Sequence, residues 1–130
     1  MKHTFFTIVA VFVSICAASA QSQQPAKPLT VEERAAKEAN RLEELLKLDP
    51  AQVFYVDSTL QHDLAALEAE FKELQKAKVE SQDLFIAVSD KWAEQIDRTY
   101  ERIFRPDQWS RYLKSGAARA KKARDKRKRK

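Results

Sequence analysis

The residue types that carry most enzymatic chemistry are scarce in this chain of 130 residues. His3 and His62 are the two histidines, Cys16 is the single cysteine, and Gly116 is the single glycine. A zinc site needs three or four ligands at suitable spacing, and a phosphate-binding loop needs several glycines. The many Asp and Glu residues fall on solvated faces of predicted helices, with no sign of a concave pocket that would shift their pKa values. We therefore expect no catalytic residue, no metal ligand and no cofactor, and a protein that is not an enzyme.

A short internal repeat is the most informative motif. The segment Leu48-Asp49-Pro50-Ala51-Gln52 recurs in form, 56 residues later, as Phe104-Arg105-Pro106-Asp107-Gln108. Each copy has an apolar residue followed by x-Pro-x-Gln at the start of a predicted helix, where proline is favoured in any case. Each copy also lies at one end of a predicted helical hairpin. The motif residues are Leu48, Asp49, Pro50, Gln52, Phe104, Pro106 and Gln108.

The elements that position this repeat are predicted to be helices. One glycine and four prolines cannot build the turns of a sheet protein, and the dominant residue types favour helices. Apolar residues recur every three or four positions over 53–74 and again over 84–104. This pattern predicts an all-α fold, with a long antiparallel helical hairpin joined near residues 79–82 and shorter flanking helices. Because the heptad register continues across the junction, one continuous helix over 50–104 is the alternative.

The flanking helices have start and stop signals of their own. Thr30 and Glu33 match a capping box and predict a first helix that reaches Leu48. Pro106 disfavours helical geometry at the residue before it and begins a short helix, for which Gly116 is a plausible terminator.

The beginning of the chain is typical of a cleaved export signal. Met1-Lys2-His3 supplies a charged start, 5–18 is mostly apolar, and Ala18-Ser19-Ala20 ends in small residues. The apolar run is shorter than the roughly 20 residues of a membrane-spanning helix, although an uncleaved anchor or a buried hydrophobic helix is the alternative. We expect cleavage after Ala20 and a periplasmic location. The predicted regions are the signal peptide 1–20, a flexible leader 21–29, a helical domain 30–116 and a disordered basic tail 117–130.

Charge is divided unevenly along the chain. Residues 21–110 contain 12 Lys/Arg and 18 Asp/Glu, a net charge of −6, whereas residues 111–130 contain 11 Lys/Arg and one Asp, a net charge of +10. The predicted export argues against nucleic acid and favours anionic lipid or polysaccharide as a partner of the tail. A solubilising tail, or a brace against the acidic body, is the alternative. The candidate residues for an anionic surface are Lys121, Lys122, Arg124, Lys126, Arg127, Lys128, Arg129 and Lys130.

Aromatic residues are the candidates for binding a protein partner. Val53, Phe54, Tyr55 and Val56 are consecutive, and four consecutive residues of a helix cannot all face one core, so Phe54 and Tyr55 are predicted to be exposed. Trp109 and Tyr112 of the short helix are further candidates. We expect Phe85, Trp92 and Tyr100 to pack inside the hairpin or a dimer seam.

Together, the signal-like start, the cysteine-free helical body and the two x-Pro-x-Gln elements resemble the LTxxQ-motif periplasmic proteins of the Spy/CpxP type. In that family two Leu-Thr-x-x-Gln elements flank long hairpin helices. Here Asp49 replaces the first Thr and can still cap a helix, while Phe104 and Arg105 replace the second Leu and Thr and predict a weaker cap. The resemblance covers roughly residues 30–113. It implies a thin homodimer that binds unfolded or damaged envelope proteins without ATP, or takes part in envelope-stress signalling.

Two other kinds of protein fit the same sequence. One is a structural or adaptor protein whose hairpin packs on one envelope partner while the basic tail contacts an anionic surface. The other is a trimeric periplasmic chaperone with long coiled-coil arms, of the Skp/OmpH kind.

Overall fold

The computed structural model describes residues 26–130, and this part of the chain contains five α-helices and no strand. The all-α prediction is confirmed for these residues. The predicted signal peptide, its cleavage point after Ala20 and most of the leader lie outside the described residues.

The first helix, α1, spans Val31–Leu46 and begins at the predicted capping box. The backbone N–H of Glu33 donates to the Thr30 hydroxyl over 3.2 Å, and the N–H of Thr30 donates to the Glu33 carboxylate over 2.8 Å. These two bonds satisfy donors that the first turn of a helix otherwise leaves free. The helix ends two residues before the predicted Leu48, because Lys47 adopts a left-handed backbone with φ of 56°.

The two longest helices are α2, over Pro50–Lys76, and α3, over Gln82–Ile103. Residues 77–81 between them are not helical, and Lys78 has a φ of 54°. The alternative of one continuous helix over 50–104 is therefore wrong. The helices contact each other at matched positions: Gln52 bonds to Ile103, and the rings of Phe71 and Phe85 lie 5.5 Å apart.

The C-terminal part contains α4, over Pro106–Tyr112, and α5, over Ala118–Lys128. They are joined by the wide helical turn Leu113–Ala117, in which Gly116 has a φ of +120°. Only glycine adopts such a backbone without strain, so Gly116 sets the direction in which α5 leaves α4. The expectation of a disordered tail over 117–130 is corrected here, since α5 is a helix whose basic side chains pair with carboxylates of α3.

The core lies where α1, the start of α2, the end of α3 and α4 meet. Its completely buried side chains include Leu42, Leu46, Val56 and Tyr100. Burial of side chains of this size stabilises a fold by about 1.5–3 kcal/mol each. An ion pair of Arg34 with Glu68 marks how far α1 extends along α2. We call residues 67–88 the distal segment. It begins beside this ion pair and extends away from the core, and none of its side chains is fully buried.

Candidate functional site

The two x-Pro-x-Gln elements meet in the core. Gln52 of α2 and Gln108 of α4 are 7% and 0% exposed. The Gln52 side-chain N–H donates to Gln108 Oε1 over 2.7 Å, and the Gln108 side-chain N–H donates to Gln52 Oε1 over 3.1 Å. The internal repeat therefore corresponds to a physical contact between its two copies. We call these two side chains the glutamine pair.

Every polar position of the glutamine pair is used. Gln52 also donates to the carbonyl of Ile103 over 3.0 Å and accepts from the N–H of Asp49 over 3.0 Å. Gln108 donates to the carbonyl of Lys47 over 3.3 Å and accepts from the N–H of Arg105 over 2.9 Å. A primary amide has two donors and two acceptor sites, so both side chains are fully satisfied. A buried network that is satisfied in this way specifies one packing arrangement.

The hydrogen bonds of Gln52 and those of Gln108 join residues at equivalent positions of the two sequence elements. Each glutamine accepts from the residue three positions before it and donates to the carbonyl five positions before its partner. The apolar residues of the two elements, Leu48 and Phe104, are both buried, at 7% and 6% exposure. The repeat is thus a pseudo-symmetric clamp that ties the α1–α2 turn to the α3–α4 turn.

The two copies differ in how they cap their helices. The Asp49 carboxylate accepts from the N–H of Gln52 over 2.8 Å, which completes a reciprocal cap at the start of α2. Arg105 occupies the equivalent place before α4, and a guanidinium has no acceptor. Only the Gln108 half of that cap is formed. The predicted weakness of the second cap therefore has a structural basis.

The predicted binding residues Trp109 and Tyr112 lie against the core instead of on an open face. Tyr112 packs edge-to-face on Tyr100, with ring centroids 5.4 Å apart, and its hydroxyl donates to Asp97 over 2.7 Å. Burial, together with that hydrogen bond, raises the pKa of Tyr112 above its ordinary value. Trp109 is half-buried beside it. Both rings are partly covered by the core, and the assignment of these two residues to a client-binding surface stays a prediction.

Phe54 and Tyr55 have the opposite environment. Their side chains are 65% and 57% exposed on α2, although the neighbouring Val56 is completely buried. The two rings pack on each other, edge-to-face, with centroids 5.7 Å apart. We call them the aromatic patch. Leu84 and Ile86, in the distal segment, are 48% and 39% exposed.

The residues expected to pack inside the hairpin divide between two environments. Tyr100 is 2% exposed and stacks on Phe104. Phe85 contacts Phe71, and the indole N–H of Trp92 donates to Glu70 over 3.0 Å. These contacts place Tyr100 in the core, whereas Phe85 and Trp92 stay half-buried.

A groove of about 1160 Å³ runs along α3. Its lining combines the apolar side chains of Ile86, Ala87 and Trp92 with charged residues of α3 and of the chain end. His62 also lines it, and its Nδ1 lies 2.8 Å from the buried carboxylate of Asp63. Within residues 26–130, no group of three His, Cys, Asp or Glu side chains is arranged to hold a metal ion.

The basic tail is docked on an acidic face of α3. Arg124, which is 7% exposed, pairs with Asp97. Arg127 makes two bonds of 2.7 Å to Asp90. Lys128 pairs with Glu94. Of the eight residues assigned to an anionic surface, these three pair with carboxylates of α3, and Lys121 pairs with Asp125 of α5 itself.

The basic tail lowers the pKa values of two carboxylates with which it pairs. The hydrogen bonds from Arg127 hold the pKa of Asp90 below its usual range. The bond from Lys128 does the same for the pKa of Glu94. These ion pairs agree with the alternative interpretation of the tail as a brace against the acidic body. Asp90, Glu94 and Asp97 recur at helical spacing on α3, and the three cations recur at helical spacing on α5.

The comparisons with known proteins found no matching family model and no significant match among curated proteins or solved structures. No helix within residues 26–130 is both long enough and apolar enough to cross a membrane.

Proposed function

We propose that the protein is a periplasmic, ATP-independent chaperone or envelope-stress binding protein that holds unfolded client proteins. The export signal predicted from residues 1–20 and the resemblance to the LTxxQ-motif proteins support the compartment and the class. The aromatic patch is the observation that carries the proposal.

The aromatic patch has the exposure that client binding requires. Phe54 and Tyr55 are more than half exposed, so a client segment that covers them removes a large apolar area from water. The patch lies on the same helix as Gln52 and Val56, which are buried in the core. A rigid helix therefore presents the two rings, and little conformational entropy is lost when a client covers them.

We further propose that α2 and α3 form a hairpin which pairs with a second copy of the chain as a thin homodimer. The half-buried apolar residues of the distal segment support this proposal, because one chain alone does not cover them. These residues are Leu67, Phe71, Leu74, Phe85 and Val88.

Aggregation of an unfolded client protein tests the proposal. At near-stoichiometric ratio the protein should slow light scattering by the client, and the variant Phe54→Ser with Tyr55→Ser should bind the client roughly tenfold more weakly, or worse. The matched control is Ala65→Ser with Ala69→Ser, which changes two exposed positions of the same helix without removing aromatic surface. Circular dichroism should show nearly equal helicity in all three proteins.

Three outcomes would contradict parts of this proposal. Absence of suppression at a several-fold excess of protein would reject the chaperone function. A large loss of helicity in the aromatic variant would show that the patch is structural. A measured mass of one or three chains, instead of two, would reject the homodimer.

A further inference from the structure

The cations of α5 are divided between two faces of one helix. Arg124, Arg127 and Lys128 face α3 and are paired with its carboxylates. A second set recurs at intervals of three and four residues, which places it on the opposite side of the helix. We call this set the outer stripe: Arg119, Lys122, Lys126 and Arg129. All four are exposed, and none takes part in an ion pair within residues 26–130.

The docking of α5 turns these four residues into a fixed surface. A solvated tail would present its charges in many directions, whereas the ion pairs with α3 keep one face of α5 inward. The four cations of the outer stripe then project together from α5, whose 11 residues span about 16 Å, and from its C-cap Arg129. The acidic body below the stripe repels an anionic partner, so the approach is restricted to this face.

The shape of the outer stripe favours a flat partner. None of its residues lines the groove along α3, and all four are exposed. The helix contains no aromatic side chain on which a nucleic-acid base could stack. Its apolar residues are alanines only, so it would adsorb to a surface electrostatically without inserting.

We propose that the outer stripe of α5 is a docking surface for an anionic lipid bilayer. Each cation near such a surface contributes roughly a fivefold gain in affinity, and the screening length of about 8 Å at physiological salt confines this gain to charges that touch the surface. The stripe is separate from the aromatic patch, so this proposal does not depend on client binding.

Flotation with vesicles tests the proposal. The chain 21–130 is used, because the apolar run 5–18 would partition into lipid by itself, and its folding is first established by circular dichroism and a thermal melt. Vesicles contain phosphatidylcholine with or without 30% phosphatidylglycerol. The test variant is Lys122→Gln, Lys126→Gln, Arg129→Gln. The matched control removes three exposed cations elsewhere: Lys37→Gln, Lys72→Gln, Lys114→Gln.

The proposal requires that the parent chain binds the anionic vesicles only. Affinity for these vesicles should fall roughly 100-fold in the test variant and change by less than about fivefold in the control. An equal loss in both variants would overturn it, because net charge and not the stripe would then control binding. Absence of binding by the parent chain would also overturn it. Tighter binding to a single-stranded oligonucleotide or an acidic polysaccharide at the same salt, lost in the same variant, would assign the stripe to a linear polyanion instead.

Discussion

The glutamine pair allows a stability prediction that can be worked through in detail. Gln52→Leu keeps the approximate volume of the side chain but leaves the Gln108 amide with one unused donor and one unused acceptor. Gln108 is 0% exposed, so water cannot replace these bonds. An unsatisfied buried polar group costs about 1–3 kcal/mol, and we expect a loss of about 3 kcal/mol in the free energy of unfolding. Gln108→Leu should cost about the same.

The double variant separates this explanation from a general packing defect. When leucine replaces both glutamines, the groups that lose their hydrogen-bond partners are backbone N–H and C=O groups at the ends of helices. Three of the four residues that carry them are exposed: Lys47, Asp49 and Arg105. Water can reach these ends, so the double variant should lose only about 4 kcal/mol, a coupling of about 2 kcal/mol between the two positions.

Urea denaturation followed by circular dichroism measures these free energies. The control is Gln61→Leu, which removes an exposed glutamine from α2 whose amide bonds only to Asp57, over 2.8 Å. It should change the free energy of unfolding by no more than about 0.5 kcal/mol. If the losses of the two single variants add to within about 0.5 kcal/mol in the double variant, the two amides do not act as a pair and the explanation fails.

Three further predictions concern α5 and the turn that precedes it. The variant Asp90→Asn with Glu94→Gln removes two of the carboxylates that hold α5. Trypsin at pH 7 should then cleave α5 roughly tenfold faster, because cleavage follows the population of undocked helix. An unchanged cleavage rate would show that these ion pairs do not hold α5. In the parent chain the pKa values of Asp90 and Glu94 are both lowered. The docking of α5 by these carboxylates should therefore be complete at neutral pH and lost as the pH falls through the lowered pKa values, below about 4. Circular dichroism should show this as a loss of helicity in the parent chain that the variant does not repeat. A Cβ added at Gly116 meets no atom within 4 Å, but alanine is strained at a φ of +120°. The variant Gly116→Ala should therefore lose about 1–3 kcal/mol of folding free energy, measured by a thermal melt. Ala117→Gly, its control, should cost no more than about 1 kcal/mol.

Local signals predicted the helix boundaries because capping depends on residues three positions apart. Thr30 with Glu33, and Asp49 with Gln52, form the reciprocal caps that their spacing predicts. The exposure of Phe54 and Tyr55 also followed from helical geometry alone. The environments of Trp109 and Tyr112 did not, because the sequence does not show which face of a helix of seven residues meets the rest of the chain.

The sequence alone determined that the described part of this protein is helical and that two similar turns recur in it. Helix propensity, capping and the scarcity of glycine act over a few residues, so they can be recognised without a structure. Only the tertiary structure decided that Gln52 and Gln108 meet, and that α5 docks on α3 through Arg124 and Asp97. Those contacts join residues 56 and 27 positions apart. They depend on how the helices cross, which is set by the packing of the whole core.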